Sequence, residues 1–395
     1  MFSKKTVKDV DVKDKRVLVR VDLNVPIADG AVTDDTRVRA ALPTIRYLID
    51  RGAKVILCSH LGRPKGEPDP QFSLRPVRRV LQRLIGRNVV FVDDIVGTDA
   101  QEAVERMVDG EILMLENLRF APGEKTNDPA FAKALASLAE IYVDDAFGAA
   151  HRAHASTAGV TEFLPAYAGL LLSREVTTLT GMLTEPEHPF VAILGGSKVS
   201  DKFGVIDRLI DVVDVLIIGG GMAFTFLAAE GLGVGKSILE PDWVEPAKKM
   251  LAKAEAQDVE LLLPVDFVLA DTFAEDAETR IAGREEIPAD MMGLDIGPAS
   301  TELFKHAIAS AKTIFWNGPM GVFEMKPFET GTKEVAMSVA RNNRAASIVG
   351  GGDSVAALKK FNLEGRVTFV STGGGASMKL LEGVPLPGVE ALLDK

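Results

Sequence analysis

Short runs rich in valine, isoleucine and leucine recur along this chain, each closed by Gly, Asp, Asn or His and followed by a longer stretch with apolar residues at helical spacing. That rhythm predicts βαβ units and parallel sheets, since a strand covered by helices on both faces reads as one continuous apolar run. In the first half the predicted strands are RVLVRVDLNV, KVILCSH, NVVFVDD, EILMLEN and IYVDDAFG. In the second half they are FVAILGG, VDVLIIGGG, VELLLPVDFVL, TIFWNGP, ASIVGGGD and RVTFVSTGG. LRPVRRVLQRLIG and PAFAKALASLAE predict two of the intervening helices. LLLSREVTTLTGML, residues 170–183, predicts another, with Pro186 and Pro189 punctuating the chain behind it.

A chain of 395 residues is too long for one ordinary core. The expected fold is therefore α/β, with two doubly wound parallel-sheet, Rossmann-like domains joined by a hinge helix. The boundaries expected from the pattern are residues 1–170, a connector over 171–189, and a second domain over 190–375.

Hydrophobic residues make up 47% and charged residues 26%, which excludes a disordered or fibrous chain. A single cysteine, Cys58, cannot close an internal disulfide, and the start MFSKKTVKDVDVKDK lacks the apolar stretch of a secretory signal, so a cytoplasmic setting is expected. Even LLLPVDFVLA is broken by Pro264 and Asp266, so no run reaches the roughly 18 apolar residues a membrane span needs. The net charge of -11 argues against non-specific nucleic-acid binding. An anionic ligand would have to be held by local clusters of positive charge.

The second half carries glycine pairs or triplets at four strand ends, Gly195-Gly196, Gly219-Gly220-Gly221, Gly350-Gly351-Gly352 and Gly373-Gly374-Gly375. One such cluster would be a tight turn, but four at equivalent ends fit backbone N–H groups brought close to phosphates. In GGSKVSDK, Lys198 and Lys202 are spaced to share one face of a helix beginning there, which suits a polyphosphate, although a solvated face paired with Asp201 or Asp207 has the same spacing. Asp353 reads either as a helix cap or as a carboxylate for a hard cation bridging phosphates. Gly235-Lys236-Ser237 is a false Walker A ending, because Glu230 stands where that loop needs glycine, and no GxGxxG follows a strand.

The first half ends its strands with arginine, histidine and asparagine instead. Arg20, Asp22 and Asn24 lie in RVDLNVP, followed by Arg37, by His60 and Arg63 in SHLGRP, by Arg119 in ENLRF and by Arg152 in AFGAAHRAHAST. Guanidinium forks match carboxylate and phosphate oxygens, so their coincidence with strand ends points to a small acid bearing both groups. His151 and His154 read equally as loop packing or as ligand contacts. Cys58, inside an apolar strand, reads as core.

RVDLNVP, SHLGRP, AFGAAHRAHAS, GGSKVSDK, FWNGPMGVFE, GGGDS, STGGGAS and EGVPLPGV together resemble the phosphoglycerate kinase family, in the family's order and over essentially the whole chain. The resemblance implies reversible transfer of the acyl phosphate of 1,3-bisphosphoglycerate to Mg-ADP, giving 3-phosphoglycerate and Mg-ATP, in a monomer that closes about its hinge. It implies that Asp22, Leu23, Asn24, Arg37, His60, Leu61, Gly62, Arg63, Arg119 and Arg152 hold the three-carbon acid. Lys198, Lys202, Gly293, Asn317, Glu324, Gly350, Gly351, Gly352, Asp353 and Ser354 would hold the nucleotide, with Asp353 on Mg2+ and Glu324 near the ribose. Arg37 and Lys202 are the expected catalytic pair. The resemblance further implies that residues 376–395 pack back onto the first domain. Ser354 departs from the family's usual threonine, and Ala149 from a common threonine. The rival readings are an NAD-type dehydrogenase, which the missing GxGxxG opposes, and a two-domain anion-binding protein without chemistry.

Overall fold

The computed structural model describes residues 2–395; Met1, where the first domain is expected to begin, lies outside them. The chain divides into two compact units, one running to Thr178 and including Val384–Lys395, the other Leu179–Gly383.

The first unit is built from β1 (Arg16–Arg20), a small hairpin of β2 (Ile27–Ala28) and β3 (Ala31–Val32), α1 (Thr36–Ile49), β4 (Lys54–Cys58), α2 (Arg75–Ile85), β5 (Val89–Phe91), α3 (Thr98–Glu105), β6 (Ile112–Met114), α4 (Pro129–Ala136), β7 (Ile141–Asp144) and β8 (Ala166–Ala168). Six of its strands form one parallel sheet in the order β5-β6-β4-β1-β7-β8. Its core, with Val17, Val19, Val55, Leu57 and Val143 against Val38, Ile45 and Leu48 of α1, explains why the strands read as unbroken apolar runs. Helix starts follow local chemistry. Asp128 caps α4 by accepting the Phe131 N–H at 2.8 Å, with Pro129 in the first turn. The helix α5 (Leu170–Thr184) carries the chain onward, its first turn held by Asp145, whose Oδ1 accepts the N–H of Leu171 at 2.8 Å.

The second unit contains β9 (Phe190–Leu194), α6 (Phe203–Ile210), β10 (Val215–Ile218), α7 (Ala223–Ala229), α8 (Val244–Ala256), β11 (Glu260–Leu262), β12 (Asp266–Ala270), β13 (Thr279–Gly283), β14 (Met292–Ile296), α9 (Pro298–Ser310), β15 (Thr313–Asn317), α10 (Thr330–Arg341), β16 (Ala346–Gly350), α11 (Gly352–Lys360), β17 (Phe369–Val370) and α12 (Gly375–Leu381). Its parallel sheet has the order β11-β10-β9-β15-β16-β17, so the winding reverses between β9 and β15. A crevice at such a reversal is where open sheets bind ligands.

Two expectations need correction. VELLLPVDFVL is not one strand: Pro264 lacks the N–H a ladder needs, β11 ends before it, and β12 joins a separate antiparallel sheet, β13-β12-β14. The return to the first unit begins at Val384 rather than Ala376, because α12 buries Ala376, Ser377 and Leu381 and lies against α6. Gly383, at φ +77°, then turns the chain. Beyond it Leu386, Val389 and Leu392 are buried, α13 (Pro387–Glu390) forms, and Gly388 donates its N–H to Ala150 O at 2.9 Å.

Candidate active site

In the first unit the loops after β1, β4, β6 and β7 meet at the C-terminal edge of the sheet. Arg37, in the first turn of α1, donates to Asp22 Oδ1 at 3.2 Å and to Asn24 O at 3.0 Å. The Asn24 side chain accepts the Gly62 N–H at 2.9 Å, tying the RVDLN loop to the SHLGR loop. Arg119 donates through Nη1 to Gly62 O, and its Nε is buried with no partner among the described residues. Arg63 and Arg152 are exposed. His60 is 7% exposed, and burial first, then Arg20, Arg119, Arg37 and Arg152, hold it well below its ordinary pKa. Burial and the neighbouring Arg152 and Arg20 likewise pull Arg119 down to about 10. Guanidinium groups that disfavour one another's charge suit an anionic ligand.

The countercharge lies behind them. Burial alone would raise the Glu124 carboxyl, but the contact with His154, the charge of Arg20 and the bonds from Ser156 outweigh it and leave its pKa lowered. Leu23 and Leu61 are core residues whose amides are spent internally, Leu23 N–H on Ser59 Oγ at 2.9 Å and Leu61 N–H on Asn117 Oδ1 at 3.2 Å. Asn117 was not singled out by the sequence. Buried, it also donates to Leu61 O and Phe72 O, at 2.8 and 2.9 Å, and so clamps the loop carrying His60. A polar residue directly after an apolar strand was its only signal.

The second unit places two cavities side by side. A slot of about 250 Å³ is walled by Phe224, Ile238, Phe273, Met292, Gly293 and Val322, with Glu324 on its border. A polar recess of about 160 Å³ is lined by Gly196, Ser197, Lys198, Lys202, Asn317, Gly318 and Gly351 to Ser354. Both share Gly196, Ser197 and Asp353. Glycine is required in the wall: a Cβ at Gly293 would stand 2.2 Å from the Phe224 ring, and one at Gly318 would meet Gly195 O at 2.2 Å. Gly350 is not among the residues lining the recess; it ends β16 in register with Asn317 on β15, one residue before the lining begins at Gly351.

Lys202 sits across from β15, donating to Asn317 Oδ1 at 2.5 Å and to Asn317 O at 2.7 Å. Burial pushes its ammonium down to about 8, against the opposing pull of Asp353 and Asp201. Asn317 Nδ2 is buried without a partner among the described residues. Lys198 and Lys202 do not share a helix face, because α6 begins only at Phe203 and Lys198 lies on the open loop before it; the recess nonetheless receives both. Ser354 lines the recess, and its hydroxyl accepts the Gly318 N–H at 2.5 Å, bracing the loop. Asp353 follows the first residue of α11, is exposed and makes no hydrogen bond among the described residues, so it is no cap. Phe224, Phe273, Ile238 and Lys236 were not predicted as site residues; Phe224, for one, is placed by its ring contact with Phe267, which lies far along the chain and leaves no mark in local spacing.

Among the described residues no three His, Cys, Asp or Glu side chains gather into a metal cluster, and no helix is long and apolar enough to cross a membrane. The family profile described as phosphoglycerate kinase matches residues 7–384. The chain is 55% identical over 394 residues to a phosphoglycerate kinase of Pelotomaculum thermopropionicum, spanning all of both chains. It is 54% identical over 398 residues to one from Chloroflexus aurantiacus, again at full coverage. Among solved structures, phosphoglycerate kinase from Coxiella burnetii superimposes with a TM-score of 0.89 at 42% identity, and that from Pyrococcus horikoshii with 0.85 at 32%, each covering 98% of both chains.

Proposed function

The chain belongs to the phosphoglycerate kinase family, and from that premise we propose how its two units divide the family's reaction between them. The activity is reversible phosphoryl transfer, in glycolysis, from 1,3-bisphosphoglycerate to ADP, giving 3-phosphoglycerate and ATP. The dehydrogenase and binding-protein readings draw no support from the relatives.

The observation that carries the division is the continuity of an apolar slot with a glycine-lined recess in the second unit. A purine fits the slot, with Glu324 at its border for the ribose, and the phosphates run into the recess past Gly196 and Ser197 toward Lys198, Lys202 and Gly350 to Ser354. Gly293 lets the base approach the slot wall. Asn317 supplies a free N–H donor. In the first unit Arg63, Arg119 and Arg152 take the 3-phosphate, Asp22 and Asn24 take the hydroxyl and carboxyl end, and Leu23, Leu61 and Gly62 shape the loops that present them.

Asp353 fits a magnesium ion, because that metal keeps several waters and takes one or two carboxylates together with substrate phosphates instead of an all-protein cage. Held at Asp353, it would offset the charge of the phosphates. The chain's own contribution is positioning and electrostatic stabilisation. The acceptor carboxylate is already ionised, so no general base is called for, and Arg37 and Lys202 meet charge that spreads over the transferred group. Transfer requires the reacting atoms within about 3 to 3.5 Å and water kept out, which calls for closure about the α5 connector in a monomeric cytoplasmic enzyme.

A coupled assay of ATP formed from 1,3-bisphosphoglycerate and ADP, with and without magnesium, tests this reading. Magnesium-dependent ATP formation is expected; binding of both ligands without turnover would refute it. Small-angle scattering should show compaction with both ligands present.

A further inference from the structure

Arg20 ends β1 in the middle of the first sheet, paired in register with Cys58 and Asp144, and is 1% exposed. It lies behind the arginine cluster. Its Nη1 donates to Val21 O at 2.5 Å and its Nε to Ser156 Oγ at 2.9 Å. Ser156 is itself fixed: its hydroxyl donates to Glu124 Oε1 at 2.7 Å, its N–H to Glu124 Oε2 at 3.0 Å, and its carbonyl accepts Tyr142 Oη at 2.6 Å. The remaining arm of the guanidinium, Nη2, stands 2.9 Å from His60 Nδ1.

A guanidinium carries five donors and no acceptor and does not lose its proton. At 2.9 Å, therefore, His60 Nδ1 must be the acceptor and carries no hydrogen. The ring's one proton is left on Nε2, for which no hydrogen bond is found among the described residues. We propose that Arg20 is a positioning residue that locks His60 as the neutral Nε2–H tautomer, so that the ring offers the phosphorylated three-carbon acid one aimed hydrogen-bond donor, neither a cation nor a base. The identity of that ligand rests on the function proposed above; the tautomer does not.

The surroundings agree from every side. Arg20 from β1, Arg37 from α1, Arg119 from the turn after β6 and Arg152 from the loop after β7 all oppose a charge on the ring, and burial adds to them. The nearby carboxylates are engaged elsewhere, Asp22 with Arg37, Glu124 with Ser156 and His154, and Asp144 with the Ala146 N–H. Protonating His60 would set an Nδ1–H head to head with the Arg20 fork.

The test is two-bond proton–nitrogen NMR of the full chain labelled at histidine nitrogens, with His60 assigned by its loss in His60→Gln. The wild type should show a protonated Nε2 and a bare Nδ1, unchanged from about pH 5 to 8, the range in which an ordinary histidine titrates. An imidazolium, an Nδ1–H tautomer or a midpoint inside that range overturns the proposal. In Arg20→Met the ring should exchange between tautomers and its midpoint should rise, while burial and the three remaining arginines still hold it below the ordinary value. The KM for 3-phosphoglycerate should rise about tenfold, as for loss of one aimed bond to a charged group. Arg20→Lys, which keeps a charged donor, should restore the wild-type tautomer. An unaltered tautomer and KM in Arg20→Met would refute the role of Arg20. Should that variant not fold, Ser156→Ala, which frees Nε and keeps the guanidinium, must still loosen the tautomer. Inactivity of wild type toward 1,3-bisphosphoglycerate together with the expected spectrum would sink the functional reading and leave the tautomer standing.

Discussion

Arg37 is half-buried and already held by Asp22 and Asn24, so it reaches its working position before any ligand arrives. Such preorganised charge is what stabilises a transition state, and Arg37→Ala should lower kcat by about a hundredfold or more while the thermal melt stays near wild type. Lys202 invites a pH test. Its ammonium is pushed down to about 8, and only the charged form can meet a phosphoryl group, so kcat/KM should fall as pH rises through about 8. Lys202→Arg, if it retains measurable activity, should move that limb upward, because arginine keeps its proton throughout. Asp353→Ala should raise the magnesium concentration needed for half-maximal turnover, and an unchanged magnesium titration would remove Asp353 from the metal's coordination. The strand-end residues were legible in the sequence because the sheet's edge is where chain direction reverses and backbone is left open. Asn117, Glu124 and Ser156 were not: each serves a partner dozens of residues away, and spacing along the chain carries no trace of that.

At the next scale, the apolar runs identified the parallel strands because burial on both faces leaves no alternation to misread. β8 escaped notice since its three residues Ala-Tyr-Ala fall short of a run, and β13 because it is mostly exposed and lacks an apolar face. The connector α5 rests on Asp145, a fully buried carboxyl whose pKa burial raises to about 7. The native state therefore holds a proton there that the unfolded chain gives up at lower pH. Its charged form costs stability in full above about 7, and the cost is relieved as pH falls toward its ordinary value. His60 and His151, both lowered, act oppositely below about 6.5, so whole-protein stability blends the two. The difference between wild type and Asp145→Asn isolates the carboxyl: the variant's advantage in urea midpoint should be present at pH 8 and shrink by pH 5. Asp145→Ala, which removes the acceptor altogether, should cost about 1 kcal/mol or more at either pH.

For the molecule as a whole, the segment after Gly383 matters as much as any strand. Lys5 N–H bonds Leu393 O at 2.7 Å, Leu393 N–H bonds Ala166 O at 3.1 Å, and the Lys4 ammonium reaches the carbonyls of Glu390 and Leu392 and the carboxylate of Asp394. Leu392, 3% exposed, anchors that segment, and Leu392→Ala should cost about 2 to 5 kcal/mol. The loss should register as faster hydrogen exchange in β8, with protection of the second unit's strands unchanged.

Because the first unit is assembled from both ends of the sequence, its folding cannot be finished in the order of synthesis. The second unit has every residue it needs once Gly383 has emerged, whereas the edge at β8 waits for the dozen residues that follow. With Lys395 N–H on Ser3 O at 2.9 Å, residues 3 and 395 could be joined by a short linker and the chain reopened near Phe273. Such a rearranged gene product would make the first unit from a contiguous stretch, and it should acquire its structure on the ribosome sooner.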